Sequence, residues 1–131
     1  MDFSLKPQEY SPLTLAYIGD AVYEIYMRSR FVAVHNEKPS SLHRKVSHLV
    51  CAAAQAKGYE IIKDSLTEEE EAVFKRGRNA KSATVPKNAD VIEYRCATGV
   101  EALTGYLYIK KEFDRISELL CKIFEGICEE L

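Results

Sequence analysis

Leu15–Arg28 reads LAYIGDAVYEIYMR. Leu15, Ile18, Val22 and Ile25 recur at helical spacing, and Tyr17, Tyr23 and Tyr26 widen the apolar face. The pattern predicts a buried helix and makes Tyr17 a core residue with its hydroxyl seeking a polar neighbour. Gly19-Asp20 interrupts the run, and Glu24 follows one turn later. A carboxylate among apolar side chains is costly unless it meets a partner or a cation, so Asp20 is the position the rest of the chain has to complete. Ser11-Pro12 supplies a cap and a first-turn proline for this helix, which should run from about 12 to 34 before His35–Pro39 breaks it.

Outward from there the chain is helical throughout. Ser40 or Ser41 caps a second helix over 41–57, with Gly58 as its stop and a short turn over 59–63. Thr67–Glu70, TEEE, is a capping box that opens a third helix over 67–76, and Gly77 ends it. Residues 78–88 lack periodicity and read as a loop. A fourth helical region begins near Asp90 and is strongest over 97–110. Gly99 and Gly105 lie inside it, each costing about 1 kcal/mol against alanine, which points to close helix approach there. Residues 112–131 form a last amphipathic helix through Phe113, Ile116, Leu119, Leu120, Ile123 and Ile127. No alternating strand pattern persists, so the class is all-α, and 131 residues at 47% hydrophobic content support one domain, 1–131.

The net charge of −2 and pI near 5.9 give no global case for nucleic-acid binding. No apolar run reaches membrane-spanning length, and the N-terminus does not read as a signal peptide. Cys51, Cys96, Cys121 and Cys128 form no CxxC pair and read as buried free thiols in a reducing cytoplasm. Local charge is more informative. Lys75, Arg76, Arg78, Lys81 and Lys87 collect in one segment without an acid, and Asn79, Ser82 and Thr84 add hydrogen-bonding groups. This is a candidate phosphate-contacting surface, and a solvated loop offset by Glu68–Glu71 is the plain alternative. The segment has no aromatic residue, so a duplex backbone suits it better than stacked single strands.

Three acids interrupt apolar helical runs: Asp20, Glu24 and Glu101. If the first and fourth helices cross near Gly19 and Gly105 or Gly99, carboxylates from both converge, and such a pair must share a proton or a cation. Oxygen ligands without nearby histidine or cysteine suit Mg²⁺ or Mn²⁺, which activate water and stabilise phosphoryl charge. The structural alternatives are a Glu24–Arg28 pair one turn apart, a Glu101–Arg95 pair, and Asp20 as a structural acid. His35, His43 and His48 lack metal-ligand spacing and read as surface residues.

AYIGDAVYEIY (16–26) resembles the signature helix of ribonuclease III catalytic domains, and VEALTGYLY (100–108) resembles the second acidic helix of that fold. With KRGRNAKSATVPKN (75–88) and YRCATGVEALTGYLY (94–108), nearly the whole chain resembles mini-ribonuclease III, the branch that lacks a double-stranded-RNA-binding domain. The resemblance implies an all-helical homodimer with Mg²⁺-dependent, or Mn²⁺-dependent, hydrolysis of double-stranded RNA in the cytoplasm. It further implies maturation of 23S ribosomal RNA, with a ribosomal protein as a candidate helper in presenting the substrate. Asp20 matches the metal-site aspartate and Glu101 the catalytic glutamate. Two further acids of the full-length enzymes are replaced here by Ala16 and Thr98, as in the mini branch. Lys75, Arg76, Arg78, Asn79, Lys81, Ser82 and Lys87 become the RNA-binding candidates, reading shape and backbone across the minor groove. The competing readings are a non-catalytic double-stranded-RNA-binding or ribosome-associated protein, and a helical protein-interaction module.

Overall fold

Ser11 Oγ accepts a hydrogen bond from the Thr14 N–H (3.2 Å), and Pro12 occupies the first helical position, so α1 (Pro12–Val32) begins where the sequence places it. In this computed structural model, which describes residues 1–81, 85, 87 and 90–129, five further α-helices follow among the described residues. They are α2 (Pro39–Val50), α3 (Ala52–Ile62), α4 (Glu68–Asn79), α5 (Val91–Ile109) and α6 (Phe113–Cys128), and the described residues contain no strand. None of these helices is long and apolar enough to cross a membrane.

α5 is the axis of the fold. Its buried residues, among them Val100, Leu103, Tyr106 and Leu107, lie all round the helix, as expected of an element enclosed on every side. α1, α3, α4 and α6 surround it. α6 is the opposite kind of element: Ile116, Leu119, Leu120, Ile123 and Ile127 form one buried stripe and its other face is polar. Arg115 on α6 is tied to α4. Its Nε and Nη2 donate to the two oxygens of buried Glu70 (2.8 Å each), and Nη2 also donates to the Ser65 carbonyl (2.7 Å). Glu70 Oε1 accepts from the Thr67 N–H as well (2.9 Å), so the capping box of α4 and the α4–α6 link share one carboxylate.

Several boundaries depart from the sequence reading. The expected single helix over 41–57 is broken at Cys51, whose backbone is extended (φ −70°, ψ 160°). No glycine or proline signals that break. Leu49 and Gln55 are both buried, yet on one straight helix they would project about 120° apart, and the break turns both inward. Gly58 does not stop α3, because a side chain there would collide with Ile123 Cγ2 at 2.9 Å. Gly77 likewise does not end α4, since its missing Cβ would lie 2.6 Å from Ala102 Cβ. Both glycines are contact points between helices. Cys51 is exposed and the other three cysteines are half-buried, all four of them free thiols, so the expected burial of these thiols fails.

α1 carries the most consequential differences. Tyr17 is 85% exposed and is not core; Tyr23 is fully buried, its hydroxyl donating to the Leu49 carbonyl (3.1 Å). Leu13, Tyr17, Ile25 and Val32 follow one exposed stripe with Asp20 and Arg28, so the helix is apolar on two sides and only one of them faces this chain's core.

Candidate active site and basic surface

α1 and α5 cross with no side chain between them. A Cβ on Gly19 would fall 1.7 Å from the Glu101 carbonyl oxygen, and one on Gly105 would fall 1.9 Å from the Leu15 carbonyl oxygen. Each glycine therefore admits the backbone of the other helix, which is the convergence expected for the acids. Asp20 directly follows Gly19, and the carbonyl at the contact belongs to Glu101 itself, so one crossing brings both acids together.

Of the two acids expected inside apolar runs, only Glu101 is drawn in. Asp20 is exposed on α1, whereas Glu101 is half-buried. The Glu101 carboxyl hydrogen-bonds to Asp20 and to Gln55, not to Arg95. Burial is the largest influence on it, the neighbouring Asp20 adds to it, and together they push Glu101 up to about 8, with the Gln55 hydrogen bond pulling the other way. Glu101, buried beside Asp20, therefore keeps its proton to higher pH than an ordinary carboxyl does. A cation can replace that proton.

Gln55 went unnoticed in the sequence reading. It is 2% exposed in the first turn of α3, and no buried side-chain nitrogen or oxygen among the described residues lacks a partner. The available signal was the same one that marked Asp20: a polar side chain inside the small apolar run AAAQA. Tyr23 lies close enough to feel the charges of Cys51 and Glu101, and burial above all pushes its phenol well up, leaving it a neutral hydrogen-bond donor.

Ala16 and Thr98 leave their positions without ligands. Ala16 is buried, and Thr98 Oγ1 donates to the Tyr94 carbonyl of its own helix (3.0 Å). Glu24 pairs with Arg28 (2.7 Å), the plain alternative expected for it. Among the described residues no cluster of three or more His, Cys, Asp or Glu side chains forms. His35, His43 and His48 are exposed. The donor set at the crossing is thus two carboxylates with a neutral amide behind one of them. It is an all-oxygen set that fits a hard divalent cation retaining most of its water.

Lys75, Arg76, Arg78 and Asn79 gather in the last turns of α4, with Lys81 and Lys87 following in the chain. Gly77 abuts α5 at Thr98, Gly99 and Ala102, so Arg76 and Arg78 flank a contact made next to Glu101. Lys75, Arg76, Asn79, Lys81 and Lys87 are exposed, and Arg78 is half-buried. Two arginines already have partners. Arg76 Nη2 donates to the Tyr10 carbonyl (3.4 Å), and Arg78 Nε donates to Asn79 Oδ1 (3.2 Å) with its guanidinium 5.8 Å from the Phe74 ring centre. Phe74 in turn stacks on Tyr59 at 3.8 Å. Ser82, and Thr84 with it, lies outside the described residues. A separate groove of about 550 Å³ between the C-terminal half of α1 and α6, lined by Met27, Phe31, Leu120 and Phe124, contains no carboxylate and lies apart from the acids. A duplex needs an open surface, so the acidic pair with the adjoining basic end of α4 is the better candidate.

A family profile described as "Ribonuclease III domain" matches residues 13–112. The chain belongs to the ribonuclease III family, and within it to the mini-ribonuclease III branch. It is 50% identical over 115 residues to the Mini-ribonuclease 3 of Enterococcus faecalis, covering 86% of this chain and 87% of that protein. It is 44% identical over 121 residues to the Mini-ribonuclease 3 of Staphylococcus aureus, covering 91% and 90%. A crystal structure of a Fusobacterium nucleatum protein superposes with a TM-score of 0.83 at 32% identity, covering 94% of this chain and 98% of that one. The protein is an endoribonuclease, a phosphodiester hydrolase.

Proposed function

We propose that this endoribonuclease cuts double-stranded RNA with a divalent cation, Mg²⁺ or Mn²⁺, held by Asp20 and Glu101. The observation that carries the reading is the meeting of these acids at the Gly19–Gly105 crossing, where Asp20 helps raise the pKa of the Glu101 carboxyl. When bound, such a cation activates water and offsets charge on the phosphoryl oxygens. Glu101 would hold the cation from the half-buried side of the pair and Asp20 from the exposed side. Gln55, buried beside the Glu101 carboxyl, helps keep bulk water from the inner side of the pair. Lys75, Arg76, Arg78, Asn79, Lys81, Ser82 and Lys87 contact phosphates and 2′-hydroxyls, holding the duplex by shape and charge.

The reading extends to one catalytic domain over 1–131, a homodimer, a cytoplasmic location, a 23S ribosomal RNA precursor as substrate and a ribosomal protein that assists its presentation. The exposed stripe Leu13, Tyr17, Ile25 and Val32 supports the homodimer, because an apolar helix face beside a site is normally covered. Ala16 and Thr98 favour a second reading, a double-stranded-RNA-binding or ribosome-associated protein without catalysis, because two carboxylates make a sparse metal site. Incubating purified protein with an RNA duplex decides between them. Mg²⁺-dependent cutting that leaves 5′-phosphate and 3′-hydroxyl ends, abolished by EDTA and absent on single strands, is the expected result. Retention of the duplex without cutting in either Mg²⁺ or Mn²⁺ would favour the second reading.

A further inference from the structure

Gln55 is a polar side chain only 2% exposed on α3, a helix packed against α5. From the first turn of α3 it hydrogen-bonds to the Glu101 carboxyl, the same group that Asp20 meets. An amide donates to a carboxylate without adding charge, so it can fix the Glu101 rotamer and still leave oxygens free toward α1. At 2% exposure it has no water to turn to, and the break at Cys51 is what brings it inward. Ser, Thr or Ala at this position would leave one Glu101 oxygen facing an apolar wall.

Resting on the metal-dependent reading above, we propose that Gln55 is a positioning residue: its buried amide holds the Glu101 carboxylate turned toward Asp20, in the arrangement in which the two acids take a divalent cation. Gln55 touches neither RNA nor the reacting phosphate and acts through Glu101. The partners that orient a metal-binding carboxylate commonly control affinity as strongly as some ligands do, and their loss weakens metal binding about tenfold to 100-fold.

The test is a Mn²⁺ titration of the full chain, with free Mn²⁺ read by electron paramagnetic resonance, beside steady-state cleavage of an RNA duplex. Gln55→Met keeps the volume and removes the donor; Gln55→Asn keeps the amide on a stem one methylene shorter. We expect Gln55→Met to weaken Mn²⁺ binding at least about tenfold and to lower kcat, with KM for the duplex changed less than about twofold and part of the rate recovered at high Mn²⁺. Gln55→Asn should fall between it and the unaltered chain. If Gln55→Met does not unfold cooperatively, Gln55→Asn becomes the deciding variant. Mn²⁺ affinity and kcat equal to those of the unaltered protein in a folded variant would overturn the role of Gln55 alone. An unaltered protein that neither binds Mn²⁺ nor cuts duplex RNA would overturn the metal-dependent reading, and the role of Gln55 with it.

Discussion

Glu70 and Glu101 are both acids drawn inside a helical bundle, and they are settled in opposite ways. Burial pushes the Glu70 carboxyl up, but the Arg115 fork and the Thr67 N–H outweigh it and hold the group below the ordinary carboxylate range. Glu101 exposes more of its residue surface, yet its carboxyl is enclosed, meets another carboxylate and a neutral amide, and is pushed up to about 8. The Glu70 region has every oxygen matched by a donor and builds the fold, joining α4 to α6. The Glu101 region is left short of positive charge at the place where two helix backbones touch. An acid that the fold leaves uncompensated marks a functional site more surely than burial does.

The comparison breaks most severely at the crossing. Gly19→Ala places a methyl group 1.7 Å from the Glu101 carbonyl oxygen, which no rotamer change relieves. The helices must separate, at a cost of about 3 kcal/mol or more, and cleavage should go with it; urea unfolding and a duplex-cleavage assay measure both. Arg115→Met strands the Glu70 carboxylate. Because Arg115 is partly exposed, the loss should sit near the low end for a broken buried pair, about 3 kcal/mol, again read by urea unfolding. Cleavage per folded molecule should be unchanged, since the pair lies on the α4–α6 side.

Glu101→Gln should act in the other direction on stability. A carboxyl whose folded pKa is raised binds its proton more tightly in the native state. In metal-free protein the Glu101 contribution is therefore full below about pH 4.5 and is lost as pH rises toward about 8. Glu101→Gln keeps a neutral group there throughout, so the melting temperature of the metal-free variant should exceed that of the unaltered chain at pH 8.5 and the two should converge at pH 5. An unaltered gap across that window would show that burial and Asp20 do not raise the Glu101 pKa. Glu24→Ala is the smallest expected effect, within about 0.5 kcal/mol by urea unfolding and without change in cleavage, because it removes only a surface pair with Arg28.

The acids and glycines of the crossing were legible in the sequence because each breaks the pattern of its own helix: Gly19-Asp20 inside one apolar run, Glu101 and Gly105 inside another. Their side of the helix was not. α1 is apolar on two faces, and periodicity in one chain does not say which face meets this chain's core, so Tyr17 was assigned inward and Asp20 was thought buried. Helix starts carried by a cap-proline pair or a capping box were placed to within a residue or two, at Pro12 and Glu68, and so was Val91 behind its Asp90 cap. The break at Cys51 had no such signal, because it follows from the packing of Leu49 and Gln55, and with it Gln55 was overlooked. Gly58 and Gly77 were read as stops when they are points of helix contact, a distinction that depends on Ile123 and Ala102, residues distant in sequence.

The central claim is that the carboxylates meeting at the Gly19–Gly105 crossing perform the cleavage. The most direct measurement is single-turnover cutting of an RNA duplex in saturating Mg²⁺ by the unaltered chain, Asp20→Asn and Glu101→Gln, with duplex binding followed in the same samples. Both variants should fold, still retain the duplex and cut it on the order of 10³-fold more slowly. Cutting within a few-fold of the unaltered rate by either variant would contradict the claim.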